Sequence, residues 1–293
     1  MKPYKADLLL VIVTLCWGSS YLFMKMGLDS ISEFNLIALR FGFAFILAGA
    51  IFYRRLLKMN LQTLKYSMLL GFILFVVFTA ITFGLKTTTT SNMGFLISLT
   101  VIFVPLINTV VFKQRLERKL LVSILLAIVG ISFLTLKFPF EITMGDLLCI
   151  FAAFSYAIHI IVAGFVTKKV DTLSLGITQL GFAALFGLIF SFIFETPAFP
   201  NSTESWIAIL VLSIFCSGVG FILQIVAQKY TTPVRTGLIF TLEPVFAAIL
   251  GVIFLQEVIS STGYIGAVLL LLSIVLSSVQ IKRTTLRSRT TMS

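Results

Sequence analysis

The chain has 293 residues, 59% of them hydrophobic and 11% charged, and a net charge of +11. Soluble globular proteins run at roughly 45–50% and about 25%. The few charged side chains cannot cover a water-soluble globule of this mass, so a soluble enzyme or binding domain is excluded and most of the surface must face lipid.

Crossing a bilayer core about 30 Å thick takes about 20 apolar helical residues. Such stretches are predicted at 7–27, 34–53, 66–85, 91–112, 120–137, 145–167, 173–194, 206–227, 234–255 and 262–281. Their hydrophobicity is unbroken rather than alternating at period two, which favours helices over a barrel. The expected fold class is an all-α integral membrane protein of ten transmembrane helices. The first span follows Lys2 and Lys5 as a signal sequence would, but no small-x-small cleavage site precedes Lys25, so it is expected to be retained. It carries Cys16, Trp17, Gly18, Ser19 and Ser20; the second carries Arg40; the fourth carries Asn92, Ser98, Pro105 and Asn108. The sixth holds Cys149, Tyr156 and His159, the seventh Gln179, the eighth Cys216, Gln224 and Gln228, and the ninth Glu243-Pro244. Spans five and ten hold few polar residues and are expected outside any cavity. The longest polar connection, 195–205, leaves no room for a soluble domain. It contains Asn201-Ser202-Thr203, which matches a glycosylation acceptor. The three cysteines read as small apolar residues rather than a disulfide or zinc framework.

Eighteen of the 22 basic residues fall on the termini and on the loops after spans two, four, six and eight. The alternate loops hold Asp29, Glu33, Glu141, Asp146, Glu195 and Glu204. The positive-inside rule then predicts a multi-pass protein of the cell membrane with both termini cytoplasmic. Attraction to anionic lipid headgroups accounts for the charge without a nucleic-acid partner.

Sliding residues 86–134 onto 229–277 at a constant offset of 143 places Lys86 on Lys229, Thr88 and Thr89 on Thr231 and Thr232, and Gly94 on Gly237. Gln114 falls on Glu257, Ser123 on Gly266 and Gly130 on Ser273. Near the start of each half, an offset of 139 pairs Asp7 with Asp146, Trp17 with Tyr156 and Ser20 with His159. Two five-span repeats are expected, 1–140 and 141–293, the second with a basic cytoplasmic tail. An odd number of spans inverts the second copy in the membrane, which places a substrate site near mid-membrane between the repeats and suits alternating access.

Trp17-Gly18-Ser19-Ser20, Arg40, the run from Thr88 to Gly94, and Glu243-Pro244 through Glu257 and Gly266 make the chain resemble the drug/metabolite transporter superfamily, specifically its ten-helix EamA-type permeases. The resemblance covers essentially the whole chain, although Gln114 stands where an acidic residue is common and Pro105 lies one turn after the repeat equivalent of Pro244. It implies a secondary transporter, often an exporter, of amino acids or related metabolites. A flippase for a lipid or lipid-linked carrier is the alternative within the same fold, and should show a lateral opening rimmed with basic residues.

The expected cavity residues are Trp17, Ser20, Asn92, Ser98, Tyr156, His159, Gln224 and Glu243, with Glu243 and His159 as the groups for proton coupling. An ionised carboxylate deep in a span costs several kcal/mol, on the order of the insertion penalty, so Glu243 needs a cationic partner or a proton. It either titrates or binds a cation during transport, or is a structural Glu-Pro element. His159 is the only histidine, which removes any multi-histidine metal site and leaves proton exchange or a core role. Trp17 and Ser20, like Tyr156 and His159, are three residues apart on one helix face. Taken alone, Trp17 fits helix packing or close approach at Gly18 slightly better than a cavity wall. Arg40 either snorkels or pairs with Glu33 or another acid, or captures a substrate carboxylate. The embedded amides and hydroxyls, among them Asn108, Gln179 and Gln228, either join helices or line the path. No phosphate loop, H-E-x-x-H or G-x-S-x-G motif occurs, so neither ATP hydrolysis nor an intramembrane enzyme is expected. No cofactor is called for. The partners implied are a small-molecule substrate and membrane lipids, with a monomer or homodimer both open.

Overall fold

The computed structural model describes residues 1–113, 117–135, 143–255 and 260–278. Among them the regular structure is helical, in ten long segments and one short helical turn, Tyr53–Leu56. α1 comprises Pro3–Trp17 and Ser20–Leu28, α2 is Glu33–Ile51, and α3 is Leu61–Gly84. α4 comprises Thr90–Ser98 and Thr100–Phe112; α5 is Arg118–Thr135, α6 Met144–Val166 and α7 Thr172–Phe194. α8 runs through Thr203–Val211, a π-helical stretch Leu212–Val219 and Gly220–Gln228. α9 comprises Pro233–Phe240 and Glu243–Leu255, and α10 is Ser261–Ser278. Eight segments are long and apolar enough to cross a membrane, and α10 contains a shorter apolar helix, Ser261–Ser277. The predicted ends of spans five and ten, the Gln114/Glu257 pair, Glu141 and the basic tail lie outside the described residues.

Helix starts follow local chemistry. The side chains of Asn60, Thr89, Thr143, Asp171, Ser202 and Thr232 each accept a hydrogen bond from the backbone three residues on, satisfying a donor the helix leaves free. The Asn60 cap starts α3 five residues ahead of the predicted 66. Thr89 and Thr232, paired by the repeat, are the caps of α4 and α9.

Four of the predicted continuous helices are interrupted instead. In α9, Pro244 lacks an N–H and its ring excludes the carbonyl one turn back. The helix tightens there into i→i−3 bonds, with Thr241 and Leu242 N–H on Leu238 and Ile239. α4 makes the same tight turn at Leu99, the repeat equivalent of Leu242, although Pro105 lies six residues further on. The hydroxyls of Thr241 and Thr100 turn back to the carbonyls of Leu238 and Ile97, both at 2.7 Å. The break therefore belongs to the repeat and not to proline alone. α1 is broken at Gly18–Ser19, where a Cβ on Gly18 would lie 2.9 Å from the Ala247 nitrogen, so this glycine lets α1 touch the α9 backbone.

Helix contacts obey an internal two-fold. α2 packs on α7 and α5 on α10; α3 packs on α6 and α7, as α8 packs on α1 and α2. In the α4/α9 pair, Thr100–Phe112 meets Pro233–Phe240 and Thr90–Ser98 meets Glu243–Leu255, so the two equivalent helices run in opposite directions. That is the geometry of an inverted repeat. The α5/α10 seam is backbone against backbone: a Cβ on Gly266 would stand 2.5 Å from the Gly130 oxygen, and one on Gly130 would stand 2.9 Å from the Gly266 oxygen. Ser123 and Ser273 are fully buried. These four positions are the small residues that kept register between the repeats, and close approach is what requires them to be small.

The salt bridges among the described residues each join segments at one end of the molecule. Arg55 pairs with Asp171, and the Arg235 guanidinium reaches both carboxylate oxygens of Asp7, all at the basic end. At the other end Lys86 pairs with Glu33, Thr88 donates to Asp146, and the Glu195 carboxylate accepts the Phe34 and Asn35 N–H groups at 2.9 and 3.0 Å.

Candidate functional site

The interruptions of α1, α4, α8 and α9 surround one cavity, closed on the remaining sides by α3 and α6. Its wall carries Trp17, Ser20, Tyr21, Phe78, Tyr156 and Glu243. Its free volume is ≈ 40 Å³, enough for one or two waters, whereas pockets for small molecules run to about 300–1,000 Å³. A metabolite does not fit in the cavity as it stands.

Trp17 is held by the π-helical turn. That stretch shifts the hydrogen-bond register of α8, and the Cys216 carbonyl accepts the indole N–H at 2.8 Å. The Cys216 thiol in turn donates to the Cys16 carbonyl at 3.1 Å, so the break in α1 and the turn in α8 are stitched both ways. The indole lies against Gly220, where a Cβ would be 2.5 Å from Nε1. Around it stand Phe221, Phe240 and Tyr156, with ring centroids 4.9, 5.0 and 6.0 Å away. The packing role and the wall role of Trp17 thus coexist in one side chain.

Of the residues expected from the sequence, Trp17, Ser20, Tyr156 and Glu243 lie on this wall and Asn92, Ser98, His159 and Gln224 do not. His159 is fully buried, stacked under Tyr156 at 5.6 Å, with Nε2 3.1 Å from the Gln179 amide oxygen. A three-residue step turns a side chain by about 60°, enough to aim Tyr156 at the cavity and His159 at α7. Gln224 accepts the Tyr156 hydroxyl at 3.1 Å and donates to Gln228, which donates to the Ile160 carbonyl, so these glutamines support the wall from behind. Ser98 bonds back to Gly94 in its own helix. Asn92 is half-buried, its N–H taken by the Thr89 cap.

Sequence reasoning missed Tyr21 and Phe78. Tyr21 is four residues after Trp17 and so shares its helix face, a signal available in the spacing. Its hydroxyl is turned toward the Glu243 carboxyl, which has no cation among the wall residues. Arg40 departs from the expected pairing: Glu33 is taken by Lys86, and Arg40 does not snorkel but is fully buried. Its Nε donates to Ser217 at 3.0 Å, and its guanidinium carbon lies 4.4 Å from the Phe78 ring centre and 5.0 Å from that of Phe41.

A family model described as the EamA-like transporter family matches residues 4–136 and again 143–279. An uncharacterized transporter of Archaeoglobus fulgidus is 32% identical over 282 residues, covering 96% of this chain and 88% of that protein. A Salmonella typhimurium protein named "probable amino-acid metabolite efflux pump" is 31% identical over 158 residues, 52% of this chain and 51% of that one. A solved crystal structure superposes with a TM-score of 0.79 at 18% identity, covering 95% of this chain and 97% of its own, which shows the shared fold.

Proposed function

The chain belongs to the EamA-like transporter family, and from that premise we propose that it is a secondary transporter that exports small polar or amphipathic metabolites, such as amino acids or related compounds, by alternating access. One observation carries the reading. A carboxyl and an aromatic wall face a small cavity where four interrupted helices from both repeats meet. Interrupted helices supply free backbone groups and hinges at mid-membrane, and an inverted pair of repeats supplies two related shapes, open to either side. The halves 1–140 and 141–293 are the two units, and both termini lie in the cytoplasm of a cell-membrane protein. Trp17, Ser20 and Tyr156 line the path, with Glu243 taking a proton or a cationic group during the cycle, so that transport is driven by a proton or by the substrate gradient.

A second cleft, of ≈ 360 Å³ between α2, α3, α6 and α7, is walled by Phe34, Phe75, Phe83, Phe151 and Phe190 among others, and no basic residue lines it. It does not favour a lipid-linked carrier flippase, which would call for basic residues at a lateral opening.

The test compares metabolites inside and outside cells with and without the protein, followed by flux into proteoliposomes. Glu243→Gln should abolish pH-dependent transport while the variant stays folded in the membrane. Normal flux with unchanged pH dependence would reduce Glu243 to a structural group.

A further inference from the structure

Arg40 is the charged group for which the described fold supplies least. It has no accessible surface, forms no salt bridge, and both terminal nitrogens, Nη1 and Nη2, are buried without a hydrogen-bond partner. A buried guanidinium is tolerated when paired, because leaving a charge and its donors unsatisfied in a low-dielectric interior is expensive. Only Nε is used, on Ser217, so the free edge of the fork is the pair of nitrogens that takes a carboxylate end-on through two parallel hydrogen bonds. Phe78 links the guanidinium to the cavity: its ring centre lies 4.4 Å from the guanidinium carbon, and its side chain forms part of the cavity wall, which Arg40 does not reach. Glu243 stands on the cavity wall with Phe78 and Tyr21, whereas Arg40 does not line it, and no ion pair joins Arg40 to Glu243 among the described residues.

We infer that Arg40 is a concealed anion subsite of the central cavity, which receives the carboxylate of an organic acid when Phe78 swings aside. The apolar body of that solute lies against Trp17, Phe78 and Phe221. Arg40 has no surface open to lipid, and the side chain that covers it toward the cavity is Phe78. This inference rests on the reading of the cavity as the substrate site, and it adds the charge that the solute must carry.

Trp17 reports binding directly, because the chain has two tryptophans and Trp206→Phe leaves only the one on the cavity wall. Three probes of one shape are titrated against purified protein: leucine, isocaproate, which lacks the amine, and leucinamide, which lacks the carboxylate. Leucine and isocaproate should bind about tenfold or more tightly than leucinamide, as expected for a charge-assisted bidentate contact. Arg40→Gln should lower the affinity for both carboxylates about tenfold or more and leave leucinamide unchanged. Arg40→Lys keeps the charge but not the fork, so it should narrow the preference; it carries the test if the glutamine variant does not fold. The inference is overturned by the absence of a carboxylate preference, whether because no probe binds or because all bind alike, or by a preference that survives in the Arg40 variants. Flux is scored separately in proteoliposomes. No flux with the carboxylate preference intact refutes the transport reading alone, and flux without that preference refutes the subsite alone.

Discussion

Trp17 shows how one side chain can hold two helices and still form a wall. Its N–H is spent on a carbonyl made available by the π-helical turn of α8, so the ring cannot rotate without leaving two buried groups unpaired. Trp17→Phe keeps the ring but strands the Cys216 carbonyl, which should cost about 1–3 kcal/mol, read as a lowered melting temperature in detergent. Trp206→Phe, which changes a half-buried ring contact of α8 with Phe43 of α2 and Phe199 of the 195–202 connection, should change it little. At this scale the sequence was partly legible. Register between repeats drew attention to Trp17, Ser20 and Tyr156, but the same register paired Ser20 with His159, whose ring turns to Gln179 in the structure. No local pattern announces that difference, because it depends on the rotation of α6 against α7.

Among elements, the α5/α10 seam is the clearest case of spacing explained by contact. Gly266→Leu would drive a side chain into the Gly130 carbonyl and the Leu134 nitrogen, 2.5 and 2.7 Å from the new Cβ. The helices must separate, and the loss should be about 1–3 kcal/mol on the scale of overpacked cores. Val268→Leu on the lipid-facing side of the same helix, 55% exposed, should leave the melting temperature unchanged. The start of α7 makes a different prediction. Burial pushes the Asp171 carboxyl up, but hydrogen bonds from the Ser174 N–H and hydroxyl, together with the Arg55 guanidinium, outweigh it and hold the group below its ordinary 3.8. A depressed carboxyl stabilises the fold above its unfolded pKa, and that contribution disappears as pH falls through the folded one. The stability gap between wild type and Asp171→Asn should therefore be constant at neutral pH and close below pH 3.8. With the Asp171 side chain 39% exposed, the gap should stay under about 1 kcal/mol.

For the whole molecule, contacts confined to one end or the other show that alternate loops lie on opposite sides, and the excess of Lys and Arg predicts which side is cytoplasmic. A cysteine at Asn201 should react with an impermeant reagent added outside cells, and one at the exposed Lys168 only after permeabilisation. The native Cys149 and Cys216 are buried, and the half-buried Cys16 is changed to Ala beforehand so that it gives no background. Reversed labelling would invert the topology. On the alternating-access proposal, a cavity of ≈ 40 Å³ has to enlarge before a metabolite fits, and the helix breaks that surround it are where that rearrangement is expected.

Sequence alone determined the solvent, the secondary structure, most helix starts and the inversion. Each follows from short-range or additive physics: apolar runs must satisfy their backbone as helices in lipid, cap residues act on the next three positions, and an odd repeat has to turn over. Tertiary structure decided where the helices break in α1, α4 and α8, which face Tyr156 and His159 present, and why Arg40 stands between Phe41 and Phe78 with both terminal nitrogens unused. Those features depend on how closely and at what rotation distant helices meet. Glycines such as Gly18 and Gly220 permit that approach, but only the assembled partners, Ala247 and Trp17, give it a direction.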